Sequence, residues 1–360
     1  MTVLPRPRRP SDRARHPVPI PLLVALVGLL LFSGRTAAQD VWRTVQIADG
    51  VYASVVEDPE IYSQFSNSLI VIGDEGVLVV DPRESTAAGH ALIGEIRSIT
   101  DVPVRWVVNS HWHWDHLGGN QAFLEEFPGV EILAHPETGR LLDSEGRGRF
   151  EDEVQRLVDR RVRLLETAER GTTDSGRPLT EEDRATIDAF LERDEVRRSA
   201  LEQTELFGPT RTVDGRVALE LGRRALVLAP VAAHTPGDLV VWLPDVGILY
   251  AGDLVEHGFP WVGDGNAFAM AESLDGLARL EPMVVVPGHG PAPEDRRLFD
   301  GQLGFWTHVR ALVESAAAGN ETTAEDLRDP ATPWPDAIDG LVGRISPGAF
   351  PGGFDPEGAP

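Results

Sequence analysis

The sequence of 360 residues predicts a mixed α/β protein in which strands and helices alternate along the chain. Short runs of apolar and β-branched residues, which are typical of buried strands, are separated by segments with apolar residues three and four positions apart, which are typical of helices. Ligand-type polar side chains directly follow four of the strand-like runs. This arrangement indicates an active site at the edge of a sheet scaffold.

The first 38 residues have the pattern of a signal peptide. Five arginines between Arg6 and Arg15 precede an apolar block of 13 residues, Ile20 to Phe32, and Thr36-Ala37-Ala38 follows with small residues suited to cleavage. The block is short for a membrane span, which needs about 20 apolar residues. We therefore predict export to the periplasm or the medium, without a stable membrane span after cleavage. An uncleaved N-terminal anchor is the alternative.

The predicted catalytic domain occupies residues 39–329 and opens with strands. Between Val51 and Asp81 the apolar residues cluster in short runs, with Gly73 and Gly76 as turn residues. Helical spacing of Ala88, Leu92, Ile96 and Ile99 predicts a helix over Thr86–Thr100. A further strand over Pro103–Val108 leads into the segment "HWHWDH", and "LGGNQAFLEEF" and "EILAH" are interpreted as a helix and a strand.

Residues 137–206 differ from the flanking sequence and predict a helical insertion. The segment is dense in charge, and its apolar residues recur three and four apart within two stretches. Thr180 precedes three acidic residues, a pattern typical of a helix N-cap. The expected arrangement is two helices that expose one face. A partner-binding coiled coil is disfavoured because the apolar spacing is irregular.

Strand-like runs resume after Phe207 in "ALVLAPV", "DLVVWLP", "GILYAGD" and "MVVVPGHG", and a helix is predicted over "RRLFDGQLGFWTHVRALVESAAAG". Residues 330–360 are rich in Pro and Gly without periodicity, and are predicted to form a C-terminal tail.

Charge and cysteine content restrict the function. The formal net charge of −24 disfavours nucleic acid and anionic membranes as partners, because both repel an acidic protein. The chain has no cysteine, so neither a disulfide nor a thiolate ligand is available. A small-molecule substrate is the expected partner.

Seven side chains are candidate metal ligands. They are imidazoles and carboxylates that follow apolar runs, namely His111, His113, Asp115, His116, His234, Asp253 and His289. Such donors without sulfur suit zinc, manganese or iron. Seven ligands are too many for one tetrahedral ion and about right for two. A surface cluster that binds nothing is the alternative, and the recurrence of ligands after four strands disfavours it.

These elements resemble the metallo-β-lactamase superfamily. "HWHWDH" matches the signature His-x-His-x-Asp-His, and "AHTPGD", "YAGD" and "PGHG" follow in the order of that family. The resemblance implies a four-layer αββα sandwich with two metal ions at its edge. It assigns His111, His113 and His234 to one metal and Asp115, His116 and His289 to the other, with Asp253 between both. Asp81 would support the ligands from outside.

The reaction implied by the resemblance is hydrolysis at a carbonyl of an ester, thioester, lactone or amide. Two divalent cations, zinc before iron or manganese, would share a hydroxide, which Asp115 would orient as the catalytic residue. His257 and Trp261 follow Asp253 in the chain and are predicted to contact substrate.

Several alternatives remain open at this level. The superfamily's β-lactamases carry Cys or Ser where this chain has Asp253, so the ligand set resembles glyoxalase II and lactonases, and β-lactam hydrolysis becomes a secondary possibility. A flavodiiron protein would have Glu in place of His113. A persulfide dioxygenase with one iron and a non-catalytic periplasmic metal-binding protein are further alternatives.

Overall fold

The computed structural model describes residues 41–59, 61–258 and 262–328. The predicted signal peptide, the predicted tail over 330–360 and Trp261 lie outside the described residues. Within the described ranges, the chain forms two β-sheets and eight α-helices.

The first sheet contains seven strands in chain order. β1–β4 form an antiparallel meander, and β5, β6 and β7 extend it in parallel. The strands are β1 Arg43–Ala48, β2 Val51–Val55, β3 Ser68–Ile72, β4 Val77–Val80, β5 Val104–Val108, β6 Glu131–Ala134 and β7 Arg211–Thr212.

The second sheet contains five strands in the order β12-β11-β10-β9-β8. Neighbours from β8 to β11 pair antiparallel, and β12 pairs with β11 in parallel. The strands are β8 Val217–Leu221, β9 Arg224–Val231, β10 Asp238–Leu243, β11 Ile248–Gly252 and β12 Val284–Pro287.

The helices occupy the connections between strands. They are α1 Thr86–Ile99, α2 Trp114–Leu117, α3 Asn120–Glu126, α4 Pro136–Leu141, α5 Arg147–Arg170, α6 Glu181–Glu202, α7 Ala267–Ala278 and α8 Arg297–Ala317. A π-helical segment, Leu142–Gly146, joins α4 to α5.

The central strands β3, β4, β10 and β11 are buried on both faces, which explains their continuous apolar runs. Alternate residues point to opposite faces, so Val71 of β3 contacts the second sheet while Ile70 packs under α1 and α3. In the second sheet Val241 of β10 faces the first sheet, and Val240 packs against α7 and α8. The layers are therefore helices, sheet, sheet and helices. The predicted αββα architecture is confirmed.

The sequence-based prediction missed several elements, among them the strands β1, β7 and β8 and the helix α7. β1 has alternating polar residues and an exposed or half-buried edge, so its apolar signal is weak. α7 begins after Asn266, whose side chain accepts hydrogen bonds from the amides of Phe268 and Ala269. Its buried Met270, Leu274 and Leu277 have helical spacing, so the signal was present in the sequence.

None of the helices in the described ranges is both long and apolar enough to cross a membrane.

The strand directions place four loop ends at one edge of the sandwich. β9, β11 and β12 run in the same direction, so the loops after them leave the second sheet on the same side. Hydrogen bonds join this side to the loop after β5, because the amide of Leu239 donates to Ser110 O at 2.6 Å. The side chain of Asn67 donates to Pro287 O and Gly290 O. The candidate ligands are thereby gathered at this edge.

Candidate metal centre

The seven candidate ligands converge in two groups at the edge of the sandwich. One group consists of His111, His113, His234 and Asp253, and the other of Asp115, His116 and His289. Within each group, the potential ligand atoms all lie within 4.8 Å of one another. The chain thus brings together residues from the ends of β5, β9, β11 and β12.

The first group presents its nitrogens and a carboxylate oxygen to a common point. His234 Nε2 lies 3.2 Å from His113 Nδ1. Asp253 Oδ2 lies 3.6 Å from His234 Nε2 and 3.7 Å from His111 Nε2. His111 and His234 are buried, and His113 is half-buried.

The second group is equally close and is linked to the first through Asp253. His116 Nε2 lies 3.2 Å from His289 Nε2, and Asp115 Oδ2 lies 3.5 and 3.4 Å from these two nitrogens. Asp253 Oδ1 lies 3.3 Å from His116 Nε2, while Asp253 Oδ2 lies 3.5 Å from His289 Nε2. Asp253 therefore contacts both groups.

These spacings fit the ligands of divalent cations. Donors about 2.0–2.1 Å from a tetrahedral zinc ion lie roughly 3.3 Å from one another. The separations of 3.2–3.7 Å between neighbouring donors agree with that value. Nitrogen and carboxylate donors without sulfur suit zinc, iron or manganese.

Hydrogen bonds outside the groups determine which ring nitrogen carries a proton. Ser110 Oγ donates to Asp81 Oδ2 at 2.6 Å, so its oxygen accepts from His111 Nδ1 at 2.9 Å. His111 Nε2 therefore carries the lone pair, and this atom is buried without a hydrogen-bond partner among the described residues. An orphaned buried nitrogen is costly in a folded protein unless a cation or a proton satisfies it.

The same rule applies to the two nitrogens that face each other in the second group. His116 Nδ1 lies 2.8 Å from Asp81 Oδ2, and His289 Nδ1 lies within 3.1 Å of the carbonyl oxygens of Tyr62 and Phe65. These oxygens only accept, so both Nδ1 atoms carry protons. In the neutral rings the two Nε2 lone pairs face each other at 3.2 Å. A cation between them would remove this repulsion.

Electrostatics in the metal-free cluster compensate for this crowding with protons. Burial would lower the pKa of His116, but Asp253, Asp115 and Asp81 hold that pKa well above its usual value. Burial would raise the pKa of Asp253, yet His116 and His289 hold it well below its usual range. Cations bound at the cluster would take the place of these imidazole protons.

Asp81 lies beneath the cluster and has a backbone conformation that few residues adopt. Its φ is +52°, in the left-handed region, and its side chain is fully buried. The carboxylate accepts from Ser110 N, Ser110 Oγ, His116 Nδ1 and Tyr250 Oη at 2.6–2.8 Å. Four charge-assisted bonds compensate for the strained backbone. Asp81 therefore contacts His116 and Ser110 from outside the two groups.

Of the two residues predicted to contact substrate, the structure describes His257. Trp261 is not among the described residues. His257 lies beside the cluster, because its amide donates to His289 O at 3.2 Å and its ring lies 6.3 Å from that of Tyr62. It lines a cavity with Pro287 and Pro293 rather than the cavity beside Asp115. Burial lowers the pKa of His257.

Sequence reasoning missed Asp264, Ser110 and Tyr250. Asp264 Oδ2 lies 3.0 Å from His113 Nε2, although 151 positions separate the two residues. It stands in "VGDGN", which reads as an ordinary turn, so no local signal indicated its position. Ser110 directly precedes the histidine signature, and that adjacency was the available signal.

A cavity of about 260 Å³ opens beside both groups of ligands. His113 and Asp115 line it on one side with Trp112 and Trp114. The helical insertion completes the lining, to which α5 contributes Arg149, Asp152 and Arg156. A small molecule in this cavity would lie next to the ligand cluster, between two arginines and two aromatic rings.

Comparison with known proteins agrees with this geometry. The sequence profile of the metallo-beta-lactamase superfamily matches residues 62–289. The chain belongs to the metallo-β-lactamase superfamily. This is a superfamily of metal-dependent hydrolases, and the resemblance carried by the histidine signature is confirmed.

The chain is similar to a solved structure and to a characterised enzyme sequence. A metallo-β-lactamase from Pontibacter korlensis has 20% sequence identity and a TM-score of 0.52, covering 74% of this chain and 99% of that one. It supports the fold alone. The linear primary-alkylsulfatase of Pseudomonas sp. (strain ATCC 19151) is 24% identical over 249 residues, or 66% of this chain. The chain spans 44% of the length of that sulfatase.

Proposed function

We propose that the protein is an exported hydrolase that uses two divalent cations to cleave an ester, thioester, lactone or amide. The observation that supports this proposal most strongly is the sharing of Asp253 between two groups of ligands, each with donor spacings of 3.2–3.7 Å. A single tetrahedral ion needs only four donors. Export is inferred from the first 38 residues of the sequence alone.

Each residue of the cluster has a role in this proposal. His111, His113 and His234 would hold one cation, and His116, His289 and Asp115 the other, with Asp253 contacting both. Zinc is the first candidate, with iron or manganese as alternatives. Bound divalent cations would lower the pKa of a water molecule and polarise the substrate's carbonyl oxygen.

Asp115 would orient the attacking water and hold its proton. Burial would raise the pKa of Asp115, but His116 and His289 keep it well below its usual range, so the side chain stays a carboxylate. Its backbone carbonyl accepts a bond of 2.6 Å from Ser66 Oγ, which fixes the loop. The carboxylate is half-buried and borders the substrate cavity.

The cavity beside Asp115 would bind the substrate. Trp114 is half-buried and offers ring atoms for an apolar or aromatic group, and Arg156 offers donors for an acidic one. His257 and Trp261 remain proposed substrate contacts, and of the two only His257 is placed, in a separate cavity beside the cluster.

A sulfate ester is a second candidate substrate. The similarity to an alkylsulfatase favours it, as does the guanidinium group of Arg156 in the cavity wall, because arginine matches the geometry of oxyanions. In this case the bond cleaved would be that of a sulfate monoester.

The test is metal analysis of the purified protein together with a substrate panel. The panel contains ester, thioester, lactone, amide, β-lactam and alkyl sulfate compounds. We expect two divalent cations per chain and hydrolysis of at least one class. A single iron with oxygen consumption on a persulfide would identify a dioxygenase instead, and bound metal without any turnover would indicate a binding protein.

Asp115→Asn tests the catalytic role. Removal of the carboxylate charge should lower kcat by about 10²–10⁴-fold, provided that metal analysis shows bound cations in the variant. Asp159→Asn is the matched control, because Asp159 is exposed on α5 and bonds only to Gln155 in the described structure. Equal turnover of both variants would contradict the assignment of Asp115.

A further inference from the structure

Arg149 of the helical insertion reaches the cluster through a single intermediate, Asp264. Its guanidinium donates to Asp264 Oδ2 at 2.6 Å and to Asp264 Oδ1 at 2.8 Å, which makes a bidentate ion pair. The same Oδ2 atom lies 3.0 Å from His113 Nε2. Arg149, Asp264 and His113 thus form a continuous chain from α5 to a candidate metal ligand.

This series of hydrogen bonds determines which ring nitrogen of His113 faces the first group of ligands. Asp264 accepts two charge-assisted hydrogen bonds from the guanidinium of Arg149, an arrangement typical of an ionised carboxylate. A carboxylate only accepts, so His113 carries its proton on Nε2 and leaves the lone pair on Nδ1. That Nδ1 atom faces His234 Nε2 at 3.2 Å, where the proposed cation would bind.

Arg149 fixes the orientation of Asp264 rather than merely balancing its charge. Both carboxylate oxygens are engaged, so the carboxylate plane cannot rotate without breaking a bond. The guanidinium also lies over the ring of Trp112 at 4.7 Å, and Trp112 is itself buried next to His113. One side chain of the insertion, Arg149, therefore contacts both Trp112 in the loop after β5 and Asp264 in the segment after β11.

The insertion also contacts the segment after β5 at other points. Phe150, the residue after Arg149, packs against Trp114 with ring centroids 5.7 Å apart. Arg197 of α6 lies 5.5 Å from the ring centroids of both Trp114 and Phe65, and its side chain is 9% exposed. Such contacts hold α5 and α6, and with them Arg149, against the loop after β5.

We propose that Arg149 is a positioning residue through which the helical insertion contributes to the metal centre, by holding Asp264 against His113. The inference rests on the proposed binding of cations. It adds that the affinity for the cation held by His111, His113 and His234 depends on a residue that contacts none of the bound ions.

The test compares Arg149→Met with Arg160→Met. Arg160 makes a bidentate ion pair with Asp194 at 2.5 and 2.6 Å between α5 and α6, so it matches the chemistry of Arg149 without touching the cluster. Each protein is stripped with a chelator and titrated with zinc against a chromophoric chelator. Urea unfolding of the metal-free proteins measures the loss of stability separately.

We expect Arg149→Met to weaken one of the two zinc affinities about tenfold, the effect typical of residues that orient metal ligands. Arg160→Met should lower stability and leave both affinities unchanged. Arg149→Lys should give an intermediate affinity, since an ammonium group cannot form the bidentate pair. Asp264→Asn, which retains the shape of the side chain, should weaken the same site.

Three results would overturn the inference. If the zinc affinities of Arg149→Met are unchanged, Arg149 holds the insertion in place but does not affect the metal site. Equal weakening in Arg149→Met and Arg160→Met would show that general loosening is the cause. If the wild-type protein binds no zinc, iron or manganese, both the proposed function and this inference are refuted. If the wild type binds zinc and the variants bind it with the same affinity, only this inference is refuted. If Arg149→Met does not fold, Arg149→Lys and Asp264→Asn decide.

Discussion

At the scale of single residues, the cluster depends on groups that lie outside the two sets of candidate ligands. Ser110 and Asp81 direct the protons of His111 and His116 outward, and backbone carbonyls do the same for His289. The inward ring nitrogens are consequently held in position before any cation arrives. Such preorganisation reduces the cost of assembling several ligands around an ion.

Gly288, the residue before His289, must lack a side chain. A Cβ atom at this position would lie 1.9 Å from Asp253 Oδ1. Gly288→Ala should displace the carboxylate that contacts both ligand groups, and we expect a loss of zinc affinity of at least tenfold in a chelator-competition titration.

Gly276→Ala is the control for this substitution. Gly276 lies within α7 with open space around its Cβ position, so alanine should stabilise the protein by about 0.5–1 kcal/mol without changing zinc affinity. If Gly288→Ala binds zinc as the wild type does, the close approach to Asp253 has no role in the site.

Glu84 makes stability depend on pH in the metal-free protein. Burial raises its pKa to about 7, since the opposing effects of Arg197 and Arg83 are smaller. Between the ordinary value of about 4.5 and 7, the folded state binds more protons than the unfolded state, so stability decreases as pH rises. The loss amounts to about 3 kcal/mol at most and is complete above pH 7.

Glu84→Gln removes the ionisation and tests this dependence. In chelator-treated protein, we expect the variant to unfold at higher urea concentration than the wild type at pH 8, with little difference at pH 4.5. The exposed Glu75, changed to Gln, provides the comparison. A constant difference between Glu84→Gln and wild type at both pH values would refute the assignment.

At the scale of secondary structure elements, local sequence signals predicted the helices where a cap or a regular apolar spacing was present. Ser85 caps α1 by accepting from the amide of Ala88, and the helix ends at Ile99, close to the predicted end at Thr100. The predicted N-cap at Thr180 is confirmed as a capping box with Asp183. The exposed edge strand β1 gave too little apolar contrast to be recognised.

The capping box at the start of α6 allows a quantitative test. Thr180 Oγ1 accepts from the amide of Asp183, and the Asp183 carboxylate accepts from the amide of Thr180. Thr180→Ala should reduce the free energy of unfolding by about 1 kcal/mol, measured by urea titration followed by circular dichroism. Thr180→Ser retains the hydroxyl and should recover most of the loss. Equal losses in both variants would exclude the cap as the cause.

At the scale of the whole molecule, the site lies where the ends of two sheets meet. Tyr250 of β11 donates to Asn67 O and to Asp81 Oδ2, so it joins the second sheet to loops of the first. A cation bound by residues from both sheets would connect them in the same way. Metal binding should therefore stabilise the whole fold.

Metal removal measures this coupling. With free zinc at 100 times its dissociation constant, each site should add about 2.7 kcal/mol to the free energy of unfolding and raise Tm by several degrees. Asp253→Ala should abolish most of the gain, because the residue contacts both groups. Asp275→Ala, an exposed change on α7, should retain it. A Tm that is independent of zinc would contradict the proposed metal centre.

The sequence by itself determined the mixed α/β class, the order of most strands and helices, and the residue types that could bind metal, because these depend on local spacing. It also identified the superfamily through the spacing of "HWHWDH" and the three later motifs. The roles of the seven residues as ligands remain a proposal, although the structure places their donor atoms together.

Only the tertiary structure decided which side chains orient those donors. Asp264 lies 151 positions from His113 and 115 from Arg149, and neither pairing has a local pattern. Side chains separated so widely in sequence meet because two sheets pack face to face and the insertion packs against their edge. Such contacts follow from the packing of the whole molecule, and for that reason no spacing rule could have predicted them.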